Sequence, residues 1–177
     1  MMTGKIAACL SSKSDEWETP PDLFAYLNTR FHFTLDVAAT RENTKCPSYY
    51  TMVEDGLRQP WNGSIWCNPP YTRHQAKNWV LKAIHELNYN KHCNLVMFLL
   101  PVRTDTLLWH DILMKEANEI CFIQGRVGFL RPDRKYINEA PFPSCLVLFT
   151  KNTTGLRFTS LKKSEFKDFG KQERLAR

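Results

Sequence analysis

Residues 64–71 read Ser-Ile-Trp-Cys-Asn-Pro-Pro-Tyr, an apolar stretch that runs directly into two prolines and an aromatic residue. The first four residues predict a short buried β-strand, because an uninterrupted apolar run suits a strand that is covered on both faces. Pro69 and Pro70 then end it, since proline lacks the N–H that a central strand donates. The stretch therefore places the side chains from Asn68 to Tyr71 at the carboxyl end of a strand, where open α/β sheets bind ligands.

Alternating helical and strand-like segments lie on both sides of this stretch. Apolar residues recur three and four apart from 74 to about 87, which predicts an amphipathic helix, and the apolar run 94–100 predicts a buried strand. The order of these segments predicts a single compact α/β domain with a mostly parallel sheet. The other predicted segments are a helix after Pro20, strands at 31–36 and 48–51, a helix at 104–117, and strands at 119–123 and 144–150.

The four residues from Asn68 to Tyr71 can hold a planar amino group. The Asn68 side-chain oxygen and the Pro69 carbonyl are acceptors on a backbone with two fixed φ angles. Tyr71 adds an aromatic face that can stack on a flat ring. A strand-ending Pro-Pro turn beside a buried tyrosine is the structural alternative. The position of all four residues directly after an apolar strand favours the ligand site.

The composition indicates one domain and a basic surface. The chain has 177 residues, of which 43% are hydrophobic and 12% aromatic, enough to bury a single core. The formal net charge is +6 at pH 7, and basic residues become denser toward the end of the sequence. A polyanionic partner explains this charge, and so does an ordinary solvated basic surface. Charge alone does not choose between them.

The six cysteines stand singly, without a C-x-x-C pair, so the sequence predicts no zinc or other metal site. Single thiols in apolar runs indicate a reducing compartment, and we expect a soluble cytoplasmic protein. The longest apolar run, residues 95–102, contains a proline and is too short to cross a bilayer. The first residues also lack the apolar stretch of a signal peptide, so we expect no membrane partner.

The tetrapeptide resembles the catalytic motif of amino-methyltransferases that use S-adenosylmethionine and modify adenine N6, cytosine N4 or the amide of glutamine. Three further segments narrow the resemblance to the phage-type, Dam-like DNA N6-adenine methyltransferases. They are Trp-Glu-Thr-Pro at 17–20, Leu-Asp-Val-Ala-Ala at 35–39, and Gly-Arg-Val-Gly-Phe at 125–129 with the apolar run 145–149. The likeness extends from about residue 14 to residue 150.

The resemblance implies a three-layer Rossmann-like methyltransferase fold with a mostly parallel central sheet. We expect residues 1–13, which show no strong periodicity, to be a flexible N-terminal arm, residues 14–155 to be the methyltransferase domain, and residues 156–177, which are rich in lysine and arginine, to be a basic C-terminal tail. A phage-encoded enzyme of this kind works in the cytoplasm of the host cell. The usual glycine-rich loop after the first strand is absent here, because the sequence from Asp36 to Arg41 contains no glycine.

The resemblance also assigns site residues. Asn68, Pro69, Pro70 and Tyr71 are the implied catalytic group. Structural alternatives stand beside three assignments: Thr19 and Pro20 suit simple helix initiation, and Asp36 and Asp55 suit turn capping. The residues implied to bind S-adenosylmethionine are Trp17, Thr19, Pro20, Asp36, Ala38, Asp55 and Asn68.

Basic residues mixed with aromatic ones follow two of the predicted strands. Such residues suit phosphate contacts and stacking on an exposed base, whereas a solvated surface hairpin is the alternative. The residues predicted to bind nucleic acid are Arg73, Arg126, Arg131, Arg134 and Lys135.

The predicted reaction is methyl transfer to N6 of adenine in double-stranded DNA, with the target base flipped out of the helix. In this scheme Asn68 and the Pro69 carbonyl bind the amino group, and the Tyr71 ring, rather than its hydroxyl, supports the base. An RNA or protein-glutamine methyltransferase uses the same tetrapeptide, and a catalytically dead nucleic-acid-binding protein with this fold is a further alternative. The sequence indicates neither a recognition sequence nor an oligomeric state.

Overall fold

A computed structural model describes residues 17–72, 75–130 and 137–176, with only the backbone described at 137 and 138. Nine strands are present in this part of the chain: β1 (Leu35–Asp36), β2 (Ser48–Tyr49), β3 (Gly63–Cys67), β4 (Cys93–Pro101), β5 (Glu119–Gln124), β6 (Gly128–Leu130), β7 (Ile137–Glu139), β8 (Ser144–Thr150) and β9 (Arg157–Lys162). The helices are α1 (Pro21–Phe31), α2 (Gln75–Tyr89), a π-helical segment (Leu108–Leu113) that continues into α3 (Met114–Glu116), and α4 (Lys163–Leu175).

Seven of these strands form one sheet in the order β2-β1-β3-β4-β8-β5-β9. All neighbouring pairs are parallel except those of β8, which runs antiparallel to both β4 and β5. The prediction of a mostly parallel α/β sheet is therefore confirmed. Strands β6 and β7 form a separate antiparallel pair.

Helices cover both faces of the sheet, which gives three layers. One apolar core packs α2 and the π-helical segment against the sheet through residues such as Trp79, Val80 and Trp109. The other packs α1 and α4 against the opposite face through residues such as Phe24, Leu27 and Phe166. Successive residues of β4 alternate between the two cores, so this strand is buried on both faces as its apolar run predicts.

The predicted first strand and the predicted helix at 104–117 differ most from the observed elements, and the strand predicted at 48–51 is limited to Ser48–Tyr49. The first strand was expected at 31–36, but α1 continues to Phe31 and ends at His32, whose φ of 48° reverses the chain. Only Leu35 and Asp36 then pair as β1. In the helix expected at 104–117, Leu108–Leu113 is π-helical, a local geometry that apolar spacing does not predict.

Residues 157–175, within the segment predicted as a basic C-terminal tail, form β9 and α4, which belong to the sheet and to its covering layer. β9 pairs with β5 along its whole length, and Phe166 on α4 is fully buried. Lys167 forms an ion pair of 2.6 Å with Asp22 of α1. Gly170 lies so close to α1 that an added Cβ would stand 2.7 Å from the Asp22 Cβ. None of the helices described is long and apolar enough to cross a membrane.

Candidate active site

The tetrapeptide lies where the sequence places it, directly after β3. Strand β3 ends at Cys67 and is flanked by β1 and β4, to which it is parallel. Asp36, the last residue of β1, is in register with Trp66, two residues before Asn68. The polar side chains of Asp36 and Asn68 therefore follow two neighbouring strands at the same edge of the sheet, which we call the carboxyl edge.

Hydrogen bonds fix the Asn68 side chain in one orientation. Its amide nitrogen donates to the Trp17 carbonyl at 2.5 Å and to the Thr19 hydroxyl at 3.1 Å, so both of its N–H groups are used. Its Oδ1 accepts from the Tyr71 hydroxyl at 2.7 Å and keeps one lone pair for a further donor. Three predicted site residues therefore contact Asn68. Trp17 and Thr19 lie about fifty residues before it in the sequence, and Tyr71 lies three residues after it.

Tyr71 has a different environment from the one expected for a stacking ring. It is only 4% exposed, and its hydroxyl also lies 3.2 Å from the Leu99 carbonyl of β4. Burial holds the pKa of the phenol well above its usual value, so the hydroxyl stays protonated and donates to Asn68. The hydroxyl therefore has a structural partner in the site, which the sequence did not predict. Stacking of the ring on a base stays a prediction.

Phe129 and Phe142 contact the Tyr71 ring, Trp17 contacts both of them, and we call the four rings together the aromatic cluster. Trp17 and Phe142 are half-buried, Phe129 is fully buried, and the centroids of the contacting rings lie 5.3 to 6.3 Å apart. Backbone hydrogen bonds of 3.1 Å in both directions between Glu18 and Leu130 attach the residue 17–20 segment to β6. Phe142 was missed by sequence reasoning, because its contact with Tyr71 joins residues far apart in the chain.

Asp36 is a buried carboxylate with a raised pKa. It is 4% exposed, and its oxygens accept from the backbone N–H groups of Ala38 at 3.4 Å and Lys45 at 3.1 Å. Burial raises its pKa to about 6, although these hydrogen bonds and the Lys45 charge act in the opposite direction. Asp36 therefore caps the turn that follows β1, as the structural alternative predicted. Its predicted contact with a cofactor is not tested by this geometry.

The loop after β1 folds without glycine because its backbone does not need one. No residue from Val37 to Pro47 has a positive φ, the conformation that favours glycine over other residues. Hydrogen bonds from the Asp36 carboxylate to Ala38 and Lys45, and local bonds between Thr40 and Asn43, hold the loop instead.

Asp55 lies in the turn after β2 and is held by its own neighbours. Its φ is 56°, and its carboxylate accepts from the Leu57 N–H at 3.2 Å and pairs with Arg58 at 3.2 Å. The next residue, Gly56, lies against the Val37 carbonyl, which an added Cβ would approach to 2.2 Å. The Asp55 turn thus packs over the end of β1, close to Asp36. Thr19 is buried and Pro20 caps α1, as expected for helix initiation.

The predicted nucleic-acid contacts are described only in part. Arg126 is exposed and follows β5 at the carboxyl edge. Arg73, Arg131, Arg134 and Lys135 lie outside the described residues. Sequence reasoning missed Arg103, an exposed residue two positions after β4, whose Nη1 lies 3.5 Å from the Tyr71 carbonyl. Its position two residues after β4, at the carboxyl edge, is the sequence feature by which it could have been predicted.

The sequence is similar to known proteins over most of its length. A family model described as DNA N-6-adenine-methyltransferase (Dam) matches residues 7–173. The DNA N-6-adenine-methyltransferase of Escherichia phage T1 is 35% identical over 114 residues, 63% of this chain and 45% of the phage protein. The YfdM protein of Escherichia coli (strain K12), whose name suggests a methyltransferase, is 35% identical over 78 residues, 40% of this chain and 86% of that protein. This chain therefore matches less than half the length of the phage T1 relative.

Proposed function

The chain belongs to the DNA N-6-adenine-methyltransferase (Dam) family, and we propose that it transfers a methyl group from S-adenosylmethionine to N6 of adenine in DNA. The main support is the Asn68 amide at the carboxyl end of β3. Its hydrogen bonds hold it in one orientation and leave a lone pair on Oδ1 that can accept from an amino group. The single sheet, covered by helices on both faces and with β8 antiparallel among parallel strands, supports a Rossmann-like methyltransferase fold.

The carboxyl ends of β1 and β2 suit the cofactor. S-Adenosylmethionine carries a positive sulfonium and a positive α-amino group and supplies an electrophilic methyl group. The Asp36 carboxylate is buried and held by two backbone donors, so a cation beside it would stabilise its charged form. Ala38 and the Asp55 turn line the same part of the edge, and Asp55 would accept from the adenine amino group of the cofactor after giving up part of its pairing with Arg58.

Asn68 and Pro69 would bind the target amino group. The remaining lone pair on Asn68 Oδ1 and the Pro69 carbonyl accept from its two N–H groups, which draws the nitrogen lone pair out of conjugation and toward the methyl carbon. Because Trp17 and Thr19 already hold the amide, no reorientation is needed when the base binds. The amino proton becomes acidic only after methyl transfer and is then lost to solvent, so no strong base is required.

The target adenine must leave the DNA helix to reach Asn68, at a cost of a few kcal/mol. Tyr71 and the rest of the aromatic cluster supply rings that offset this cost by packing on the extruded base. Since Tyr71 is 4% exposed, base binding would have to open the cluster, which Trp17 and Phe142, both half-buried, border on the solvent side. Arg126, with Arg73, Arg131, Arg134 and Lys135, would bind phosphates.

Transfer of a radiolabelled methyl group to DNA, RNA and protein, followed by identification of the labelled nucleoside, tests the proposal. We expect label in N6-methyladenine of unmodified DNA, and none with Asn68→Ala as the control. Label in RNA or in glutamine would favour the other amino-methyltransferases. Nucleic-acid binding without any transfer would favour a protein that keeps the fold but not the activity.

A further inference from the structure

Arg103 is the first basic residue after β4, and the fold holds its backbone firmly at the carboxyl edge. The Arg103 carbonyl accepts from the Thr106 N–H at 3.2 Å and from the Thr106 hydroxyl at 2.8 Å, which forms the turn into the π-helical segment. On the other side, the Val102 N–H donates to the Pro143 carbonyl at 2.9 Å. Hydrogen bonds on both sides therefore hold the Arg103 backbone between β4 and the segment that contains Phe142.

The Arg103 guanidinium reaches the backbone of the tetrapeptide, and its other N–H groups have no hydrogen-bond partner among the described residues. One nitrogen lies 3.5 Å from the Tyr71 carbonyl, a long hydrogen bond that uses one of its five N–H groups. The side chain is exposed, and no carboxylate in the described residues pairs with it. Other cations differ: Arg157 lies 2.6 Å from Glu119, and Lys163 lies 2.6 Å from Glu139.

These observations favour an anionic ligand. A guanidinium presents its donors in a planar fork that matches the oxygens of a phosphate, and it can bind one acceptor on each edge. One edge of the guanidinium already donates to the Tyr71 carbonyl, and the hydroxyl of the same tyrosine donates to Asn68 Oδ1. A phosphate on the free edge of Arg103 would therefore be linked to Asn68 through a single residue.

We propose that Arg103 binds a backbone phosphate of the target DNA strand beside the extruded adenosine and, through Tyr71, positions Asn68 for methyl transfer. The inference rests on the proposed function, because it takes DNA as the substrate. It makes Arg103 a positioning residue, since it contacts the DNA backbone and the tetrapeptide but no reacting atom. Binding of DNA would then tighten the Arg103 contact with the Tyr71 carbonyl from its present 3.5 Å.

DNA binding by Arg103→Ala, measured on a short mixed-sequence duplex over a range of salt concentrations, tests the phosphate contact. We expect affinity about tenfold to a hundredfold weaker, as for the loss of a hydrogen bond to a charged group. We also expect the slope of log affinity against log salt to become shallower by about 0.9, the change for one lost phosphate contact.

Arg30→Ala is the matched control, because Arg30 is also exposed and its guanidinium lies over the Phe31 ring, 5.1 Å from the ring centroid. It lies in the last turn of α1, about 13 Å along the helix from the end that follows Thr19. Loss of its charge should leave the slope unchanged. Equal slopes for Arg103→Ala, Arg30→Ala and the parent protein would overturn the proposal.

Arg103→Lys separates phosphate binding from positioning. Lysine keeps the charge but lacks the fork, so we expect the salt slope of the parent and a rate of methyl transfer at saturating DNA that falls about tenfold. A parent-like rate in Arg103→Lys would remove the positioning role. The slope measurement needs no turnover, so failure of the parent protein to methylate DNA would reject the proposed reaction without deciding the phosphate contact.

Discussion

The carboxyl ends of β3 and β1 each present one polar side chain, and the protein satisfies the two very differently. Asn68 uses both amide N–H groups within the protein and accepts a third hydrogen bond from Tyr71. Asp36 is more deeply buried and carries a charge, yet only two backbone N–H groups bind it and its pKa rises to about 6. The neutral group is held in one orientation before any ligand binds, whereas the charged form of Asp36, disfavoured by burial, would gain from a cationic ligand.

From this difference we propose separate steps for the two residues. A rigid, neutral acceptor can align a target nitrogen without adding charge, so Asn68 suits the transfer step. A buried carboxylate gains most from a cationic ligand, so Asp36 suits binding of S-adenosylmethionine. The four predictions that follow test this division of roles, beginning with the largest expected effect.

Asn68→Ala should lower the rate of methyl transfer by at least about a hundredfold, since a misplaced nitrogen loses alignment as well as one hydrogen bond. Affinity for S-adenosylmethionine should change little, because Asn68 contacts chiefly the target amino group and only secondarily the cofactor. Single-turnover transfer to DNA measures the rate, and calorimetric titration measures the affinity. Transfer within tenfold of the parent would contradict the role of Asn68.

Asp36→Asn should change how stability depends on pH. The folded-state pKa of Asp36, about 6, lies above its ordinary value of 3.8, so the folded protein holds this proton more tightly than the unfolded chain. The resulting stabilisation is complete below pH 3.8 and is lost as the pH rises through about 6, about 3 kcal/mol in all. The stability of Asp36→Asn relative to the parent should rise by this amount between about pH 4 and pH 7.

Chemical denaturation of both proteins across this pH range measures the difference. A stability difference between Asp36→Asn and the parent that stays constant with pH would show that folding does not raise the pKa of Asp36.

Asp36→Ala should weaken binding of S-adenosylmethionine by about 1.5 to 3 kcal/mol, the range for a hydrogen bond to a charged group. The loss should be larger at neutral pH than near pH 5, because the parent carboxylate is charged only above its pKa of about 6. Calorimetric titration at both pH values decides it. Unchanged affinity in a folded variant would leave Asp36 as the cap of the turn after β1.

Tyr71→Phe should reduce the rate of transfer by about fivefold, since it removes one hydrogen bond, about 1 kcal/mol, from Asn68. Tyr71→Ala should reduce the rate further, because it also removes the ring from the aromatic cluster. The additional defect should shrink on DNA with a mispaired target adenine, which costs less to extrude. Full activity in Tyr71→Phe would mean that the hydroxyl has no part in holding Asn68.

The sequence predicted the parts of this comparison that depend on local pattern. The apolar run before Asn68 and the run from 94 to 100 identified β3 and β4, because strands buried on both faces have few polar residues. The position of Asn68 at the carboxyl edge followed from the end of β3. The alternation of helices and strands predicted the mostly parallel sheet, which the topology confirms.

The parts that depend on distant contacts were not predictable. β9 is largely exposed and polar, so it has no apolar pattern, and the direction of β8 depends on the connection before it. The bonds from Trp17 and Thr19 to Asn68 join residues about fifty positions apart. The contacts of the Tyr71 ring with Phe129 and Phe142 likewise join residues far apart in the chain.

The most direct test of the division of roles is the single-turnover rate of methyl transfer to DNA at saturating S-adenosylmethionine, measured side by side for the parent, Asn68→Ala and Asp36→Ala. Saturation compensates for weaker cofactor binding, so Asp36→Ala should stay within about tenfold of the parent, whereas Asn68→Ala should fall by at least about a hundredfold. An equal loss in both variants would contradict the separate roles of the two residues.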